Sequence, residues 1–294
     1  MRITFCGNAD RGRVCLENIL ANEKDEVVNV VVHHEDPARK GLVEVAEREN
    51  IHWYDPKNIN SDDSVLDLRS YSPDLMVLAG YNQIIRRNVL DVPSGGCINL
   101  HGGKLPDYRG ASVLNWAIIN GESEIGLSII YVDEGIDTGD IIAETSFELG
   151  EIDTIKEVQE RVMNLFPGML LETLDDIRNG TVERRVQDPQ EGNYYRKRKP
   201  EDGLINWDNS SRKIYDFVRA LTDPYPGAFT FYKGNKVSIW RAQIYEGPSR
   251  QIPSGVIARL YPFLISSGDG LLQIEDFSCD SYDVEFKVED NIGN

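Results

Sequence analysis

Three side chains in the sequence are suited to moving a proton during acyl transfer. Asn99 and His101 lie at the end of the apolar run 97–100, and Asp137 lies 36 residues after His101, in VDEGIDTGDII. Residues two apart on a strand point to the same face, so the carboxamide and the imidazole lie side by side. The carboxamide can donate to an oxygen that becomes negative, while the imidazole moves a proton. A carboxylate can hold that imidazole in one tautomer. The pattern predicts an acyl-transfer centre.

Each of these residues also has a purely structural interpretation. A single histidine is more often a hydrogen-bonded core or surface residue than a catalyst, and asparagine or aspartate near a glycine is common turn chemistry. What favours catalysis is that Asn99, His101 and Asp137 all follow predicted strands of the same sheet. The other histidines, His33, His34 and His52, lack such companions and are predicted to be structural or surface residues.

The first half of the chain alternates strands with helices. Predicted strands are RITFCG, EVVNVVVHH, PDLMVLAGY, GGCINLHG and EIGLSIIYVDEG, and the predicted helices between them are RGRVCLENILAN, KGLVEVAEREN, SVLDLRSYS and ASVLNWAIINGE. This alternation predicts an α/β fold with a doubly wound, mostly parallel, Rossmann-like sheet. Ligands of such sheets collect beyond the carboxyl ends of the strands, where His101 lies.

The second half changes in composition. A long helix is predicted from Asp153 to Asn179, with a kink at Pro167 and an end at Gly180. After a polar, turn-rich connection, the helix NSSRKIYDFVRAL and short strands with YKGNKV and SGDG turns predict a smaller, β-rich, barrel-like (OB-like) domain. The predicted division is a catalytic domain at 1–187, a linker at 188–203 and a C-terminal domain at 204–294.

Composition narrows the possible partners. The 294 residues carry a formal net charge of −18, which disfavours contact with phosphate backbones except through a local basic patch such as RKRK at 196–199. We interpret that patch as a solvated interdomain linker. The four cysteines form no CxxC pair and are predicted to be free thiols in a cytoplasmic protein. No metal, dinucleotide or nucleoside-triphosphate motif is found, and no apolar run of membrane-spanning length is present.

The region NLHGGKLPDYRGASVLNWAIINGESEIGLSIIYVDEGIDTGDII resembles the signature of the formyltransferase family that uses 10-formyltetrahydrofolate. The pattern is Asn-x-His, then a Leu-Pro and Arg-Gly loop, then Asp-x-Gly-x-Asp-Thr-Gly. The likeness extends over nearly the whole chain. It implies a folate-holding N-terminal domain and a small C-terminal barrel, as the pattern of elements also indicates.

The resemblance implies roles for particular residues. The family's catalytic asparagine, histidine and aspartate correspond to Asn99, His101 and Asp137. 10-Formyltetrahydrofolate is the implied co-substrate, with no metal. The residues implied to bind it belong to two loops: Gly80, Tyr81, Gln83, Ile84 and Ile85 in the first, and Asp133, Gly135 and Ile136 in the second.

Members of the family formylate different amines, so the acceptor must be inferred from where this sequence differs from particular members. The segment from Pro200 to the end holds 14 acids against 9 bases, and the early lysine-rich insertion of methionyl-tRNA formyltransferases is missing. These features favour a nucleotide-linked amino sugar (dTDP- or UDP-linked), in surface polysaccharide assembly, over nucleic acid or a membrane. Lys104, Arg109 and Tyr225 are then predicted to bind this substrate, and a homodimer is expected. The alternatives are a methionyl-tRNA formyltransferase and a non-catalytic folate- or nucleotide-sugar-binding protein.

Overall fold

A computed structural model describes residues 1–188, 190–248, 252–281 and 284–293. By their internal contacts the residues form two compact units. The first comprises Met1–Gly110, Gly126–Phe147 and Glu160–Tyr194, and the second comprises Ala111–Ile125, Glu148–Gln159 and Tyr195–Asn294. The units are therefore interleaved along the chain, whereas the predicted division at 187 and 204 is sequential.

The elements up to the long helix follow the predicted alternation. The strands are β1 (Arg2–Gly7), β2 (Glu26–Val32), β3 (Trp53–Tyr54), β4 (Leu75–Ala79), β5 (Cys97–His101), β6 (Arg109–Gly110), β7 (Glu124–Tyr131) and β8 (Ile141–Glu148). The helices are α1 (Ala9–Asn22), α2 (Lys40–Arg48), α3 (Asp62–Ser70), α4 (Arg87–Leu90), α5 (Val113–Ile119) and α6 (Ile155–Asn179), with a 3-10 turn at Pro37–Arg39.

Seven of these strands form one sheet in the order β3-β2-β1-β4-β5-β7-β8. The pairs β1–β2, β1–β4, β2–β3 and β4–β5 are parallel. From β1 the chain moves outward to β2 and β3 and then returns to the other side of β1 with β4 and β5. This order confirms the predicted doubly wound, mostly parallel fold and places its switch point between β1 and β4.

Three features of this sheet differ from the prediction. The two-residue edge strand β3, beside β2, was not predicted. β7 runs antiparallel to β5, with Ile98 opposite Tyr131 and His101 opposite Ser128. Hydrophobic patterning reports which face of a strand is buried but not its direction, so it does not distinguish the two orientations. The strand β8 was not predicted at all. Its residues alternate between partly buried and exposed after Ile141, which gives a weaker apolar signal than the buried central strands.

The strands of the central sheet form because their side chains are β-branched or aliphatic and are buried on both faces. Val30, Val31 and Val32 of β2 are fully buried, as are Met76 and Val77 of β4. An apolar cluster joins residues of four strands with residues of flanking segments, including Cys6, Val31, Met76, Leu78, Ile85 and Cys97. This core fixes the strand ends from which the polar loops emerge.

The helix α6 matches its prediction within two residues at the start and ends at Asn179 as predicted. Its fully buried apolar residues recur every three or four positions, at Ile155, Val158, Val162, Phe166, Leu170 and Leu174. Pro167 lies inside the helix. Gly180 follows with φ of +69°, the left-handed conformation that glycine adopts at little cost and that ends helices. Of the helices in the part of the chain that the structure describes, none has both the length and the hydrophobicity that crossing a bilayer requires.

The second unit contains an antiparallel sheet. After β9 (Tyr194–Tyr195), a 3-10 turn at Pro200–Gly203 and α7 (Ser211–Leu221) come β10 (Ala228–Tyr232), β11 (Asn235–Ile244), β12 (Ile257–Arg259), β13 (Leu264–Ser266) and β14 (Leu271–Cys279). The five last strands pair in the order β10-β11-β14-β13-β12. The predicted YKGNKV hairpin joins β10 to β11, with positive φ at Lys233 and Gly234 as a tight hairpin turn requires.

The last described residues connect the two edges of this five-stranded sheet. On one side Ile257 N donates to Asp290 O at 2.9 Å, and Asn291 bridges to Val256. On the other side Gly293 N donates to Phe231 O of β10 at 2.6 Å. Ile292, between these contacts, is 1% exposed. The C-terminal segment therefore covers both sheet edges, which gives the domain the barrel-like character that was predicted.

Candidate active site

Asn99, His101 and Asp137 lie together in the first unit. Asn99 and His101 lie at the C-terminal end of β5, and Asp137 is in the loop between β7 and β8. Since β7 is antiparallel to β5, this loop leaves the sheet beside Cys97, whose carbonyl accepts the Val132 N–H at 2.8 Å. The loop must then fold back along β5 to bring Asp137 to the two side chains. The three side chains are close together, as expected. They meet because the β7–β8 loop folds back, and not because two parallel strands end side by side.

The Asp137 carboxylate is the point at which the three groups meet. Its Oδ1 is 3.5 Å from Asn99 Nδ2, and its Oδ2 is 3.5 Å from His101 Nδ1. The backbone N–H of Gly110 donates to the same Oδ2 at 2.9 Å. The side chains of His101 and Asp137 are only 7% and 13% exposed, so water screens their interaction weakly.

The tautomer of His101 follows from its second contact. His101 Nε2 is 2.5 Å from the backbone oxygen of Tyr108, and a carbonyl oxygen can only accept. Nε2 therefore carries a proton, and Nδ1 is the nitrogen that faces the Asp137 carboxylate. Gly103 makes this contact possible, because a Cβ there would lie 2.6 Å from Tyr108 O and 2.8 Å from His101 Nε2.

The backbone at Asp137 is held in an uncommon conformation. Its φ is +55°, in the left-handed region that costs a residue with a side chain about 1–2 kcal/mol. Gln187, which we did not single out from the sequence, donates from Nε2 to Asp137 O at 2.9 Å and to Gly139 O at 2.7 Å. The only signal was a polar side chain in a turn-rich segment, and 50 residues separate it from Asp137.

The first predicted folate loop, Gly80–Ile85, follows β4 in irregular conformation. Gln83 anchors it: Gln83 Oε1 accepts the Ile59 N–H at 2.8 Å, and Gln83 Nε2 donates to Pro56 O at 2.9 Å. Tyr81 and Ile85 pack in the apolar cluster below, while Ile84 is 63% exposed. Gly80 has φ of +75°. The loop thus presents an apolar side chain among peptide groups that are outside any sheet ladder.

The second predicted folate loop is organised by Asp133. Asp133 Oδ1 accepts from Gly135 N at 3.0 Å and from Thr138 Oγ1 at 2.6 Å. Ile136 at the tip is 53% exposed. Val132, at the base of this loop, packs against the same apolar cluster as Tyr81 and Ile85, so both loops emerge from one core.

The three predicted substrate-binding residues differ in burial and in partners, and they belong to two different units. Arg109 is fully buried, and its guanidinium donates to Gln187 Oε1, Glu191 O and Asp188 O. Lys104 is exposed in the first unit. Tyr225 belongs to the second unit, where its hydroxyl accepts from Gln159 Nε2 at 3.0 Å. A buried arginine and an anion-binding arginine look alike in sequence, so the burial and the protein partners of Arg109 could not be anticipated, and substrate binding by this residue stays a prediction.

Among the residues that the structure describes, no cluster of three or more histidine, cysteine, aspartate or glutamate side chains has the geometry of a metal site. The site itself brings together an imidazole, a carboxamide and a carboxylate at the edge of a doubly wound sheet. Such a set suits acyl transfer to an amine, with proton exchange at His101 and Asp137.

Comparison with known proteins agrees with this class of enzyme. The formyl transferase family profile matches residues 1–174, and the profile of the formyl transferase C-terminal domain matches residues 197–281. The chain belongs to the formyl transferase family, and the predicted enzyme class is confirmed.

Individual relatives refine the comparison. The chain is 34% identical to a methionyl-tRNA formyltransferase of Acetivibrio thermocellus, over 96% of this chain and 93% of the relative. It is 33% identical to that of Clostridioides difficile, over 94% and 91%. Among solved structures, WlaRD, a sugar 3N-formyl transferase in the presence of dTDP and 5-N-formyl-THF, superposes with a TM-score of 0.70 at 19% identity, over 94% of this chain and 97% of that chain.

These relatives overturn the predicted acceptor. The sugar-acting structure shares the fold at 19% identity, whereas full-length relatives at 30–34% identity are methionyl-tRNA formyltransferases. The prediction of a nucleotide-sugar substrate and of no nucleic-acid partner was therefore wrong. Its physical error was to read a partner from the charge of the whole chain. Contact with phosphates depends on local cations, and the run 196–199 is basic within an acidic protein.

Proposed function

We propose that this protein transfers the formyl group of 10-formyltetrahydrofolate to the amino group of methionyl-tRNA. The observation that carries this proposal is similarity to methionyl-tRNA formyltransferases along nearly the full length of both chains, 96% and 93% for the Acetivibrio thermocellus enzyme. The similarity extends through both family domains, as expected if both domains take part in binding the acceptor.

Asn99, His101 and Asp137 are the proposed catalytic residues. The amine nitrogen attacks the formyl carbon, and the formyl oxygen becomes negative. Asn99 Nδ2 has two hydrogens; one faces Asp137 Oδ1, which leaves the other to donate to that oxygen. The proton lost by the amine passes to the His101–Asp137 pair. When the bond between the formyl carbon and N10 of the folate breaks, N10 receives that proton, which gives the formamide and tetrahydrofolate.

The loops at 80–85 and 133–136 are the proposed folate site. Gly80, Tyr81, Gln83, Ile84 and Ile85 form one side, and Asp133, Gly135 and Ile136 form the other. A pterin is flat, apolar on its faces and rich in donors and acceptors at its edge. Exposed Ile84 and Ile136 suit the faces, and peptide groups outside any regular ladder suit the edge.

The segment 184–199 is the proposed region of tRNA contact. It holds six bases, Arg184, Arg185, Arg196, Lys197, Arg198 and Lys199, against two acids, Asp188 and Glu191. Within it, Lys197 and Lys199 are exposed. Arg196 is paired with Asp202 at 2.6 Å, and the Arg198 guanidinium lies over the rings of Trp116 and Phe217. The two lysines are therefore the cations best placed to approach phosphates.

The proposal is tested by incubating purified protein with 10-formyltetrahydrofolate and methionyl-tRNA and by measuring acid-precipitable formylmethionyl-tRNA. Uncharged tRNA, which lacks the methionyl amine, and free methionine, which lacks the tRNA, serve as controls. We expect product only with the charged tRNA, in step with the release of tetrahydrofolate. Absence of product above the enzyme-free blank, with folded protein, would refute the proposal.

A further inference from the structure

We propose that Gln187 is a positioning residue for Asp137, and that its side-chain amide holds the backbone from which the catalytic carboxylate projects. The inference rests on the proposed function, because it takes Asp137 to be part of the formyl-transfer site. Gln187 lies between the two family matches, which end at residue 174 and resume at residue 197. No match assigns it a role.

Both hydrogens of the Gln187 amide are used on the loop that carries Asp137. Gln187 Nε2 donates to Asp137 O at 2.9 Å and to Gly139 O at 2.7 Å. The side chain is buried, with the residue 5% exposed, so water does not compete for these carbonyl oxygens. One amide thus holds the carbonyl groups of the residues before and after Thr138, the first of which is the carboxylate-bearing residue itself.

The other end of the Gln187 amide fixes its orientation. Gln187 Oε1 accepts from Arg109 Nε at 3.1 Å and from Arg109 Nη2 at 2.9 Å. Rotating the amide by half a turn would place its NH₂ against the guanidinium and its oxygen against two carbonyl oxygens. Each buried group would then lose its partner, which is unfavourable because a buried polar group without a hydrogen bond has lost its hydration without compensation. Arg109, which we had predicted to bind substrate, also sets the direction of this amide.

The position of the Asp137 carboxylate depends on this support. The left-handed φ of Asp137 is unfavourable for a residue with a side chain, so the loop persists in this conformation only where its neighbours hold it. Without the two bonds from Gln187 the loop can relax. The carboxylate would then move away from His101 Nδ1 and Gly110 N. A displacement near 1 Å in a catalytic site costs about 10²-fold in rate.

The test uses Gln187→Glu in the full-length protein. A glutamate keeps an acceptor for Arg109 but presents an oxygen, not a donor, to Asp137 O and Gly139 O. We expect kcat for methionyl-tRNA formylation to fall about 10- to 100-fold, while KM for each substrate changes less than about two-fold. Gln243→Glu, the same change at an exposed residue of β11, is the matched control and should keep wild-type kcat.

A double-mutant cycle with Asp137→Asn separates positioning from a general structural role. If Gln187 acts through the Asp137 carboxylate, Gln187→Glu should lower kcat less than about two-fold in the Asp137→Asn background. An equal fold loss in both backgrounds, an unchanged kcat in the single variant, or a loss confined to KM would overturn the inference. Should Gln187→Glu fail to fold, Gln187→Asn, which retains both polar groups on a shorter stem, is expected to give the same kcat loss at unchanged KM.

The two proposals fail in different ways. Full activity of Gln187→Glu together with an inactive Asp137→Asn overturns the positioning role alone. Full activity of Asp137→Asn overturns the catalytic assignment on which that role rests.

Discussion

Asp137 accepts the backbone N–H of Gly110 at 2.9 Å on the same carboxylate oxygen that faces His101 Nδ1 at 3.5 Å. The peptide N–H holds the carboxylate in place, and the imidazole shares its charge. Gly110 lies two residues after Tyr108, whose carbonyl contacts the other nitrogen of the His101 ring, so a single short segment fixes both the imidazole and the carboxylate.

Gly103→Ala is expected to lower kcat by about 10-fold or more, because the new Cβ would lie within 3 Å of Tyr108 O and His101 Nε2. The imidazole or the carbonyl would have to move. Steady-state kinetics with methionyl-tRNA measure the effect. Gly168→Ala is the control, since a Cβ there has no neighbour within 4 Å and alanine favours the helix. A Gly103→Ala enzyme with wild-type kcat would contradict the role of the Tyr108 contact.

The double variant Lys197→Ala/Lys199→Ala is expected to raise KM for methionyl-tRNA, with kcat near wild type. Each lost phosphate contact also lowers the slope of log KM against log salt, by roughly one per contact. Titrations between 50 and 200 mM salt would show this (about the range in which such contacts dominate). Lys156→Ala/Lys213→Ala removes the same charge from other exposed positions and should leave both the KM and the slope unchanged. Equal effects of the two double variants would exclude a local tRNA site at 196–199.

The four cysteines should differ in reactivity. Burial raises the pKa of the Cys15 and Cys97 thiols to about 12, and it raises the pKa of the Cys6 thiol well above its usual range. Thiols react as thiolates, so at pH 8 about 1 in 10⁴ molecules of a thiol with a pKa near 12 is reactive. Cys279 is only partly buried. A thiol reagent should therefore modify about one cysteine per molecule of native protein, which is Cys279. After unfolding it should modify all four. Rapid native labelling of Cys97 would contradict the buried sheet core.

Ile292→Ala is expected to lower the free energy of unfolding by about 2–5 kcal/mol, because this fully buried side chain lies in the segment that bridges the edges of the C-terminal sheet. Val288→Ala, in the same segment but 48% exposed, should cost less than about 0.5–1 kcal/mol. Urea denaturation of both variants gives the comparison. Equal small losses would show that the segment does not contribute to the stability of the barrel.

Much of the fold could be predicted from local pattern. The β-branched run of β2 and the three- or four-residue apolar spacing of α6 identify buried elements without reference to distant residues. The antiparallel direction of β7 could not be predicted, since the alternation of side chains is the same in both directions. β8 was missed for the related reason that a half-exposed strand carries too few apolar residues to stand out.

The site was predictable where the chemistry is local and was missed where it depends on contacts between distant residues. The two-residue spacing of Asn99 and His101 is visible on one strand. Gln187 and Arg109 contact each other although they are 78 positions apart in the chain. Their sequence neighbours do not show that Gln187 supports the Asp137 loop, or that Arg109 is buried against Gln187. The acceptor was misjudged because net charge averages over the surface, whereas phosphate binding depends on a few cations.

The most direct test of the central claim is the single-turnover rate of formyl transfer in Asp137→Asn, with enzyme in excess over methionyl-tRNA and saturating 10-formyltetrahydrofolate. An asparagine retains the size of the side chain and can still accept from Gly110 N, but it cannot share a proton with His101. The account predicts a rate about 10²- to 10⁴-fold below wild type with unchanged substrate binding. A single-turnover rate within two-fold of wild type (about 0.4 kcal/mol of barrier) would contradict it.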